Sequence, residues 1–351
     1  MISIMMGISA TAGSFEYEGL YYNTLTDSTV EVINPEFISP HPTPMGTYND
    51  SIIRNGKITI PSTVTYFGEK FNVVRIGNAA FRFLENVREY EIPNTITSIG
   101  SGAFTDNTSL ESIAIPEKVT SISDGTFRNT YSLKSIELRN NINYIGNGAF
   151  EGSALISIIL PNSITSIEPK VFSKCNGLTE ITIPDNIEII YEHAFEDCSN
   201  LKKIHLGMGV KEIKEDAFGN CENLSIITIS EENPTFCSEN NIIYSKDKTQ
   251  IHFSAPNQTG NYIMPNTVEY INQNALYNSK LYSIKFSENL KHIYKNGLSN
   301  CTNLMALILP NSLTTIGYMS THIRNLKYLV LGEKFDWINE YNSFGNLDKI
   351  I

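Results

Sequence analysis

The chain has 351 residues, of which 26 are basic and 37 are acidic, giving a formal net charge of −11, and 41% of its residues are hydrophobic. That apolar fraction is sufficient for a packed core and excludes a wholly disordered chain. The scarcity of Lys and Arg, together with the absence of a dense basic run, argues against a nucleic-acid-binding protein. Abundant Ile, Asn and Ser favour many short strands and turns over an all-helical fold.

Residues 1–12 (MISIMMGISATA) are apolar and uncharged, and they end in Ala10-Thr11-Ala12. This ending resembles a signal-peptidase site, although the first basic residue is Arg54 and a positively charged first segment is missing. We predict a signal-peptide remnant or leader, and hence a secreted or cell-surface protein. A short apolar strand or leader of a cytosolic protein is the alternative. No other stretch reaches the ~18 to 20 apolar residues of a membrane span, so we predict no transmembrane span.

From Gly77 onward the sequence repeats itself every 22 or 23 residues. One column of the repeat holds a Phe in seven consecutive units: Phe81, Phe104, Phe127, Phe150, Phe172, Phe195 and Phe218. Three more apolar columns recur beside it, and the unit reads L-x-x-I-x-I-P-x-x-I-x-x-I-x-x-x-A-F-x-x-C/N-x-x. Eleven registers with the same four columns predict a repeat architecture.

The I-x-I step has the two-residue period of a strand with alternate side chains facing a core. A Pro directly after this step, as at Pro93 and Pro116, lacks the N–H group that would continue the ladder. We therefore predict strands of about four to five residues. One repeat cannot bury its own apolar faces, so the strands should stack into a parallel sheet on the concave side of a curved solenoid.

The segment Ile99–Phe104 (IGSGAF) recurs with small changes from Ile145 and from Ile190. Its Ile and Phe lie five residues apart around an Ala, a spacing that fits a single helical or 3-10 turn. We therefore predict short helical or 3-10 turns on the convex side and, with the parallel sheet, an α/β fold class.

The motif that runs from Ile183-Pro184 to Ile204 resembles the BspA-like class of leucine-rich repeats. The resemblance implies a right-handed solenoid, a β-rich N-terminal cap and a β-hairpin insertion between repeats. On this basis we divide the chain into a leader (1–12), an N-terminal cap (13–76), repeats (77–230), an insertion (231–264) and further repeats without a C-terminal cap (265–351). Members of this class are mostly surface or secreted proteins associated with adhesion, an association that the fold alone does not fix.

Four of the five cysteines occupy one column of the repeat: Cys175, Cys198, Cys221 and Cys301. Other repeats place Asn, Thr or Ser there, so we predict a structural ladder of small buried side chains with free thiols. Side chains stacked in parallel have poor disulfide geometry. There is no C-x-x-C motif, and the six histidines are dispersed, so the sequence predicts neither a metal site nor a cofactor.

The sequence contains one weak catalytic candidate. Glu89 with Glu91, or Glu91 with Glu137, could resemble the carboxylate pair of an inverting glycosidase, since alternate residues of a strand lie about 6.5 to 7 Å apart. An open, solvated sheet offers nothing to raise a carboxyl pKa. We therefore predict that the protein is not an enzyme, with a carbohydrate-active enzyme as a weak alternative.

The variable positions of L-x-x-I-x-I should point out of the predicted concave sheet. They grade from acidic at the amino end to apolar near the carboxyl end, and contiguous exposed apolar side chains usually mark a contact surface. The candidate ligand-binding residues are Met305, Ile308, Tyr328, Val330, Ile159, Ile226, Lys203, His205 and Tyr282. The alternative is that the cap, the insertion or the curvature of the sheet covers them.

The chain ends inside the last strand register, at Leu347–Ile351, without a polar cap. An uncovered end presents an open strand edge, which predicts a homodimer through this edge or a fragment of a longer array.

The leading hypothesis for function is an exported adhesion protein whose concave face binds a host-matrix or cell-surface protein, or a glycan. A scaffold that assembles through the terminal edge is the second hypothesis.

Overall fold

The repeats form stacked turns of chain in a computed structural model, which describes residues 13–35, 52–318, 323–332 and 349–350. The chain divides into two compact units. The first comprises Met1–Ile164 and Glu168–Cys175, and the second comprises Thr165–Ile167 and Asn176–Ile351. The predicted leader, residues 1–12, lies outside the described residues.

The first unit begins with antiparallel strands and continues as parallel turns. Its strands are β1 (Ser14–Tyr17), β2 (Leu20–Thr26), β3 (Thr29–Ile33), β4 (Lys57–Thr59), β5 (Thr63–Tyr66), β6 (Glu69–Ile76), β7 (Glu89–Glu91), β8 (Ser98–Ile99), β9 (Ser112–Ile113), β10 (Ser121–Ile122) and β11 (Tyr144–Ile145). One sheet has the order β1-β2-β3-β6-β5, with β8 also on β6, and the others are β4-β7-β9 and β10-β11.

The second unit contains the remaining strands. They are β12 (Ser166–Ile167), β13 (Glu180–Ile183), β14 (Ile189–Ile190), β15 (Lys203–Leu206), β16 (Glu212–Ile213), β17 (Ile226–Ile229), β18 (Phe236–Glu239), β19 (Ile242–Ser245), β20 (Gln250–Ser254), β21 (Thr259–Ile263), β22 (Tyr270–Ile271), β23 (Lys280–Lys285), β24 (His292–Ile293), β25 (Ala306–Ile308), β26 (Thr315–Ile316), β27 (Tyr328–Val330) and β28 (Lys349–Ile350).

Two parallel ladders run through the second unit. The I-x-I strands pair as β13-β15-β17, β21-β23 and β25-β27-β28, and the two-residue strands pair as β12-β14-β16 and β22-β24-β26. The registers join residues one repeat apart, for example Lys203 with Ile226, so the predicted parallel stacking is confirmed. The second ladder was not predicted. The insertion adds antiparallel strands, because β18, β19 and β20 form a meander whose last strand joins β22 in parallel.

The prediction of helical or 3-10 turns in the repeats, and with it the α/β class, is wrong: the repeats form strands and tight turns, and none of the described residues after Ile52 lies in a helix. The cause lies in the backbone hydrogen bonds. Every second N–H group donates to a carbonyl oxygen of its own turn, as that of Thr105 does to Gly102. The N–H groups in between donate to carbonyl oxygens of the next turn, as that of Phe104 does to Thr126. Gly102 and Asp106 have positive φ, which a right-handed helix cannot accommodate.

The Phe column lies in the core of the first unit and of the first turns of the second unit. In the first unit, the rings of Phe104 and Phe127 lie 5.6 Å apart and are nearly parallel, and Phe150 continues the stack 5.5 Å from Phe127. In the second unit, Phe195 and Phe218 stack in the same way at 5.5 Å. The stack therefore repeats at the spacing of one turn, with each ring buried between its neighbours.

The four cysteines of the column are buried and form no disulfide, as predicted. Its thiols also satisfy the carbonyl groups of the Phe turns, because Sγ of Cys221 lies 3.1 Å from the carbonyl oxygen of Phe195. The side chain of Asn107 makes the equivalent bond to the carbonyl of Phe81 at 2.7 Å. The column therefore selects short side chains that can donate a hydrogen bond to the turn of the preceding repeat.

Thiol labelling checks this arrangement. We expect a maleimide to label Cys237 slowly in the native protein, since Cys237 is half-buried and burial raises the pKa of its thiol. The other four cysteines should be labelled only after unfolding, because they are buried and burial raises the pKa of Cys301 to about 12. Mass spectrometry of the native and denatured protein measures both. Native labelling of Cys221 at the rate of Cys237 would contradict the structure.

Candidate ligand-binding face

The outward side of the I-x-I strands is here called the strand face. Strand alternation produces it, as in β13, where Glu180 and Thr182 are exposed and the two Ile side chains between and after them are buried. The exposed positions make no contribution to the core. Their chemistry is therefore free to serve binding.

The structure distributes the predicted site residues over three places. Ile159 lies in the first unit and is 85% exposed. Lys203, His205 and Ile226 lie on the sheet β13-β15-β17 of the second unit. The remaining five lie further along the second unit, on or beside strands β23, β25 and β27: Tyr282, Met305, Ile308, Tyr328 and Val330.

The five residues of the last group form what we call the apolar patch. Strands β25 and β27 place Ile308 opposite Val330 in the parallel register, and strand β23 lies beside β25. Ile308 is 65% exposed and Tyr282 is 59% exposed, while Val330 is half-buried. Four of the five side chains therefore present apolar surface to solvent, and the described strands of the insertion leave them uncovered.

Basic and amide groups border the apolar patch. Tyr282 and Met305 line a shallow depression of about 540 Å³, with Leu326 at its base. The rim of this depression is polar and contains two cationic side chains, those of Arg324 and Lys327. An apolar surface with a positive rim is suited to an apolar segment flanked by carboxylates.

Sequence reasoning missed one exposed residue of this face. Ile263 is 72% exposed and lies on β21, opposite Lys285 in the register of β21 and β23. The signal was present in the sequence, because Tyr262 and Met264 precede Pro265 with the I-x-I-P spacing. The predicted insertion, residues 231–264, includes this strand, so its outward position was not counted with those of the repeats.

The predicted group on β15 and β17 has a different character. His205 Nδ1 lies 2.9 Å from Oγ1 of Thr228 on the neighbouring strand, and Lys203 is paired in register with Ile226. Ile226 is only partly exposed, at 46%, and no second apolar side chain adjoins it at these outward positions. This group is therefore a mixed polar surface, less suited to apolar contact than the apolar patch.

One lysine forms salt bridges with both members of the acidic pair of the first unit. Nζ of Lys57 lies 3.1 Å from Glu89 Oε1 and 3.2 Å from Glu91 Oε2. Hydrogen bonds from Lys57 and Thr59 lower the pKa of Glu91. An inverting glycosidase needs one carboxyl with a raised pKa to act as the acid. Glu91 is therefore unsuited to that role.

Glu137, the other partner considered for Glu91, faces a cation of its own. Its Oε1 lies 4.0 Å from Nε of Arg139, and the side chain of Glu137 is 85% exposed.

Across the described part of the chain, no group of three or more His, Cys, Asp or Glu residues could hold a metal ion. The described residues also include no helix of the length and hydropathy needed to cross a membrane.

The sequence profile of the BspA type leucine rich repeat region matches residues 56–179, 165–253 and 235–350. These matches cover most of the chain. The chain belongs to the BspA-type leucine-rich repeat family. The resemblance stated from the motif at Ile183–Ile204 is thus confirmed, and the family consists of leucine-rich repeat proteins. Among curated proteins, no relative matches.

Solved structures have the same fold. A leucine-rich repeat protein from Bacteroides ovatus is 26% identical with a TM-score of 0.64, and the alignment covers 92% of this chain and 89% of that one. A leucine rich cell surface protein from Faecalibacterium prausnitzii is 22% identical with a TM-score of 0.72, covering 96% and 94%. The pneumococcal vaccine antigen PcpA is 22% identical with a TM-score of 0.63, covering 97% and 86%.

Proposed function

We propose that this BspA-type repeat protein is an exported or cell-surface adhesion protein that binds a protein ligand through the apolar patch of its second unit. The observation that carries the proposal is the clustering of Tyr282, Met305, Ile308 and Tyr328 as exposed apolar side chains on neighbouring strands. Monomeric proteins rarely leave such a cluster in water unless it has a partner. The family and its cell-surface relative support the location.

The chemistry of the border indicates the kind of partner. Arg324 and Lys327 stand on the rim of the depression under Tyr282 and Met305, although the chain as a whole carries a net charge of −11. A ligand with apolar side chains between carboxylates would bury the patch and pair with the rim. We therefore favour a segment of a host-matrix or cell-surface protein over a neutral glycan at this face.

The exchange Ile308→Asp tests the proposal. It places a charge at the centre of the apolar patch, where burial against a ligand would leave a carboxylate without a partner. We expect biolayer interferometry against a panel of purified host matrix proteins to show at least a tenfold loss of affinity, equivalent to about 1.4 kcal/mol. Binding by the native chain should also weaken as salt screens the cationic rim.

Ile159→Asp is the matched control. Ile159 is the exposed isoleucine at the same column of the repeat in the first unit. Its replacement should leave the affinity unchanged. Loss of binding in Ile159→Asp with retention in Ile308→Asp would move the site to the first unit. Equal binding by both variants and the native chain would reject the strand face as the contact surface.

The scaffold and the carbohydrate-active enzyme have less support than the adhesion protein. The scaffold that assembles through the terminal edge depends on a segment whose residues 333–348 lie outside the described part of the chain. The carbohydrate-active enzyme depends on a carboxylate pair in which Lys57 contacts both members.

A further inference from the structure

A cavity of about 220 Å³ lies inside the second unit, where the insertion interrupts the stack of turns. On one side is the turn around Phe218, and on the other is the turn around Leu276. Between them the insertion strand β20 contributes Phe253, whose ring lies 5.7 Å from that of Phe218 but is tilted by 47°. The regular stacking of the repeat therefore stops at this level.

The interruption leaves a row of backbone donors unpaired. In the preceding turn, the N–H groups of His193, Phe195 and Asp197 donate to carbonyl oxygens of the next turn at 3.3, 2.7 and 2.9 Å. The equivalent N–H groups one repeat later have no acceptor among the described residues; they belong to Asp216, Phe218 and Asn220. All three residues line the cavity.

One of these donors is deeply buried. Phe218 is only 1% exposed, and a buried backbone N–H without a partner is rare in native proteins. On the opposite wall of the cavity, backbone acceptors lack donors. The carbonyl oxygens of Gln273 and Tyr277 accept no hydrogen bond from the described residues, whereas that of Ala275 accepts one from Ser254 at 2.7 Å. Donors and acceptors thus face one cavity.

At the edge of the cavity, side chains of the two turns are hydrogen-bonded to each other. Gln273 donates to the carboxylate of Glu215, and Asn274 donates to that of Asp216 at 2.7 Å. These bonds join residues 58 positions apart and hold the two turns at a fixed separation. The cavity is therefore part of the folded architecture and does not depend on a mobile loop.

The walls combine amides, carboxylates and rings. Lys214 is paired with Glu212, so its charge is balanced, and Glu215 and Asp216 leave the wall acidic. His252 accepts a hydrogen bond from Asn272 at Nδ1 when neutral, and burial lowers its pKa. An anionic ligand is therefore disfavoured. Further lining is provided by Phe253, Pro256, Tyr277 and Asn278.

We propose that this cavity binds one neutral sugar residue, such as the terminal residue of a glycan. Hydroxyl groups both donate and accept, so they can satisfy the N–H row, the free carbonyls and the carboxylates together. The rings of Phe253 and Tyr277 offer apolar surface to the C–H groups of a sugar ring. The volume is below the ~300 Å³ lower bound of pockets for drug-sized ligands, which suits a single ring.

The site is separate from the apolar patch, since no residue of that patch lines the cavity. A test therefore distinguishes this proposal from the proposed protein-binding function. We expect saturation-transfer difference NMR on the full chain with glucose, galactose, mannose and N-acetylglucosamine, each alone, to show saturable transfer to at least one. Two variants should weaken that binding by about tenfold or more, namely Tyr277→Ala, which removes a ring, and Glu215→Gln, which removes a carboxylate.

Two matched controls should keep the sugar affinity of the native chain. Glu192→Gln changes the exposed equivalent of Glu215 one repeat earlier, outside the cavity. Tyr282→Ala removes an exposed ring from the apolar patch. Circular dichroism and thermal unfolding confirm that each variant is folded. Transfer to none of the sugars would mean that the cavity holds only water and would overturn the proposal, as would a signal that is lost with Tyr282→Ala and retained with Tyr277→Ala.

Discussion

Replacing Phe127 with Ala is expected to destabilise the first unit by about 3 to 5 kcal/mol. The ring of Phe127 is fully buried and stacks between those of Phe104 and Phe150 at 5.6 and 5.5 Å. Its removal leaves a cavity bounded by two turns that are fixed by their own hydrogen bonds, so the core cannot collapse into it. Urea unfolding followed by circular dichroism measures the loss.

Phe67→Ala is the control for the same change of side chain. Phe67 is 90% exposed and lies between strands β5 and β6. Its replacement should alter the free energy of unfolding by no more than about 0.5 kcal/mol, as is usual for surface substitutions. If Phe127→Ala cost as little as Phe67→Ala, the stacked column could not be the core of the unit.

Asn233→Ala should lower the stability of the second unit by more than about 3 kcal/mol, because it would leave four backbone groups without a partner. The fully buried amide of Asn233 donates to the carbonyls of Gly207 and Val210, both at 3.0 Å. Its oxygen accepts from the N–H groups of Thr235 and Phe236 at 2.9 and 2.8 Å. This side chain thus fixes the start of the insertion to the repeat before it.

Asn223→Ala provides the comparison. The exposed amide of Asn223 donates to the carbonyl of Ser199 at 2.7 Å, and water can replace it there. We expect a loss of about 1 kcal/mol or less. A second measurement, hydrogen exchange, should show faster exchange at Phe236 in Asn233→Ala and no change there in Asn223→Ala. Similar stability of the two variants would contradict the anchoring role of Asn233.

The parallel stacking could be predicted because burial imposes a period on the sequence. Phe127 and its equivalents recur at the spacing of one turn, and residues such as Ile181 and Ile183 alternate with polar ones. These apolar side chains are also the ones that the structure buries. The parallel stacking depends on which side chains are buried, so the period of the apolar residues in the sequence was enough to predict it.

The turns could not be predicted from apolar spacing, because the backbone determines them. The Ile and Phe of Ile99–Phe104 suit one helical turn, but Gly102 and Asp106 take positive φ and divert alternate N–H groups to the next turn. Positive φ four residues apart recurs at Asn274 and Asn278. Gly, Asn and Asp at these positions were the signal, since these residues adopt such angles most readily.

The candidate site was predictable in part. The outward positions of the strands followed from the two-residue period, and Ile308 is exposed where the pattern places it. Lys57 was missed as the partner of Glu89 and Glu91, because its strand β4, which pairs with β7, lies before Gly77, where the recognised repeats begin. The cavity beside Phe218 was also missed, since it arises from hydrogen bonds that the backbone fails to make.

The alternation of hydrogen bonds in the turns has a mechanical consequence. Within each unit, the bonds from one turn to the next, such as that from Phe195 to Ala217, point along the direction of stacking. A tensile load applied in that direction would act on successive turns in series and separate them individually, because each repeat contacts only its neighbours. A protein built in this way can therefore yield to a tensile load one turn at a time, without losing its whole structure in one event.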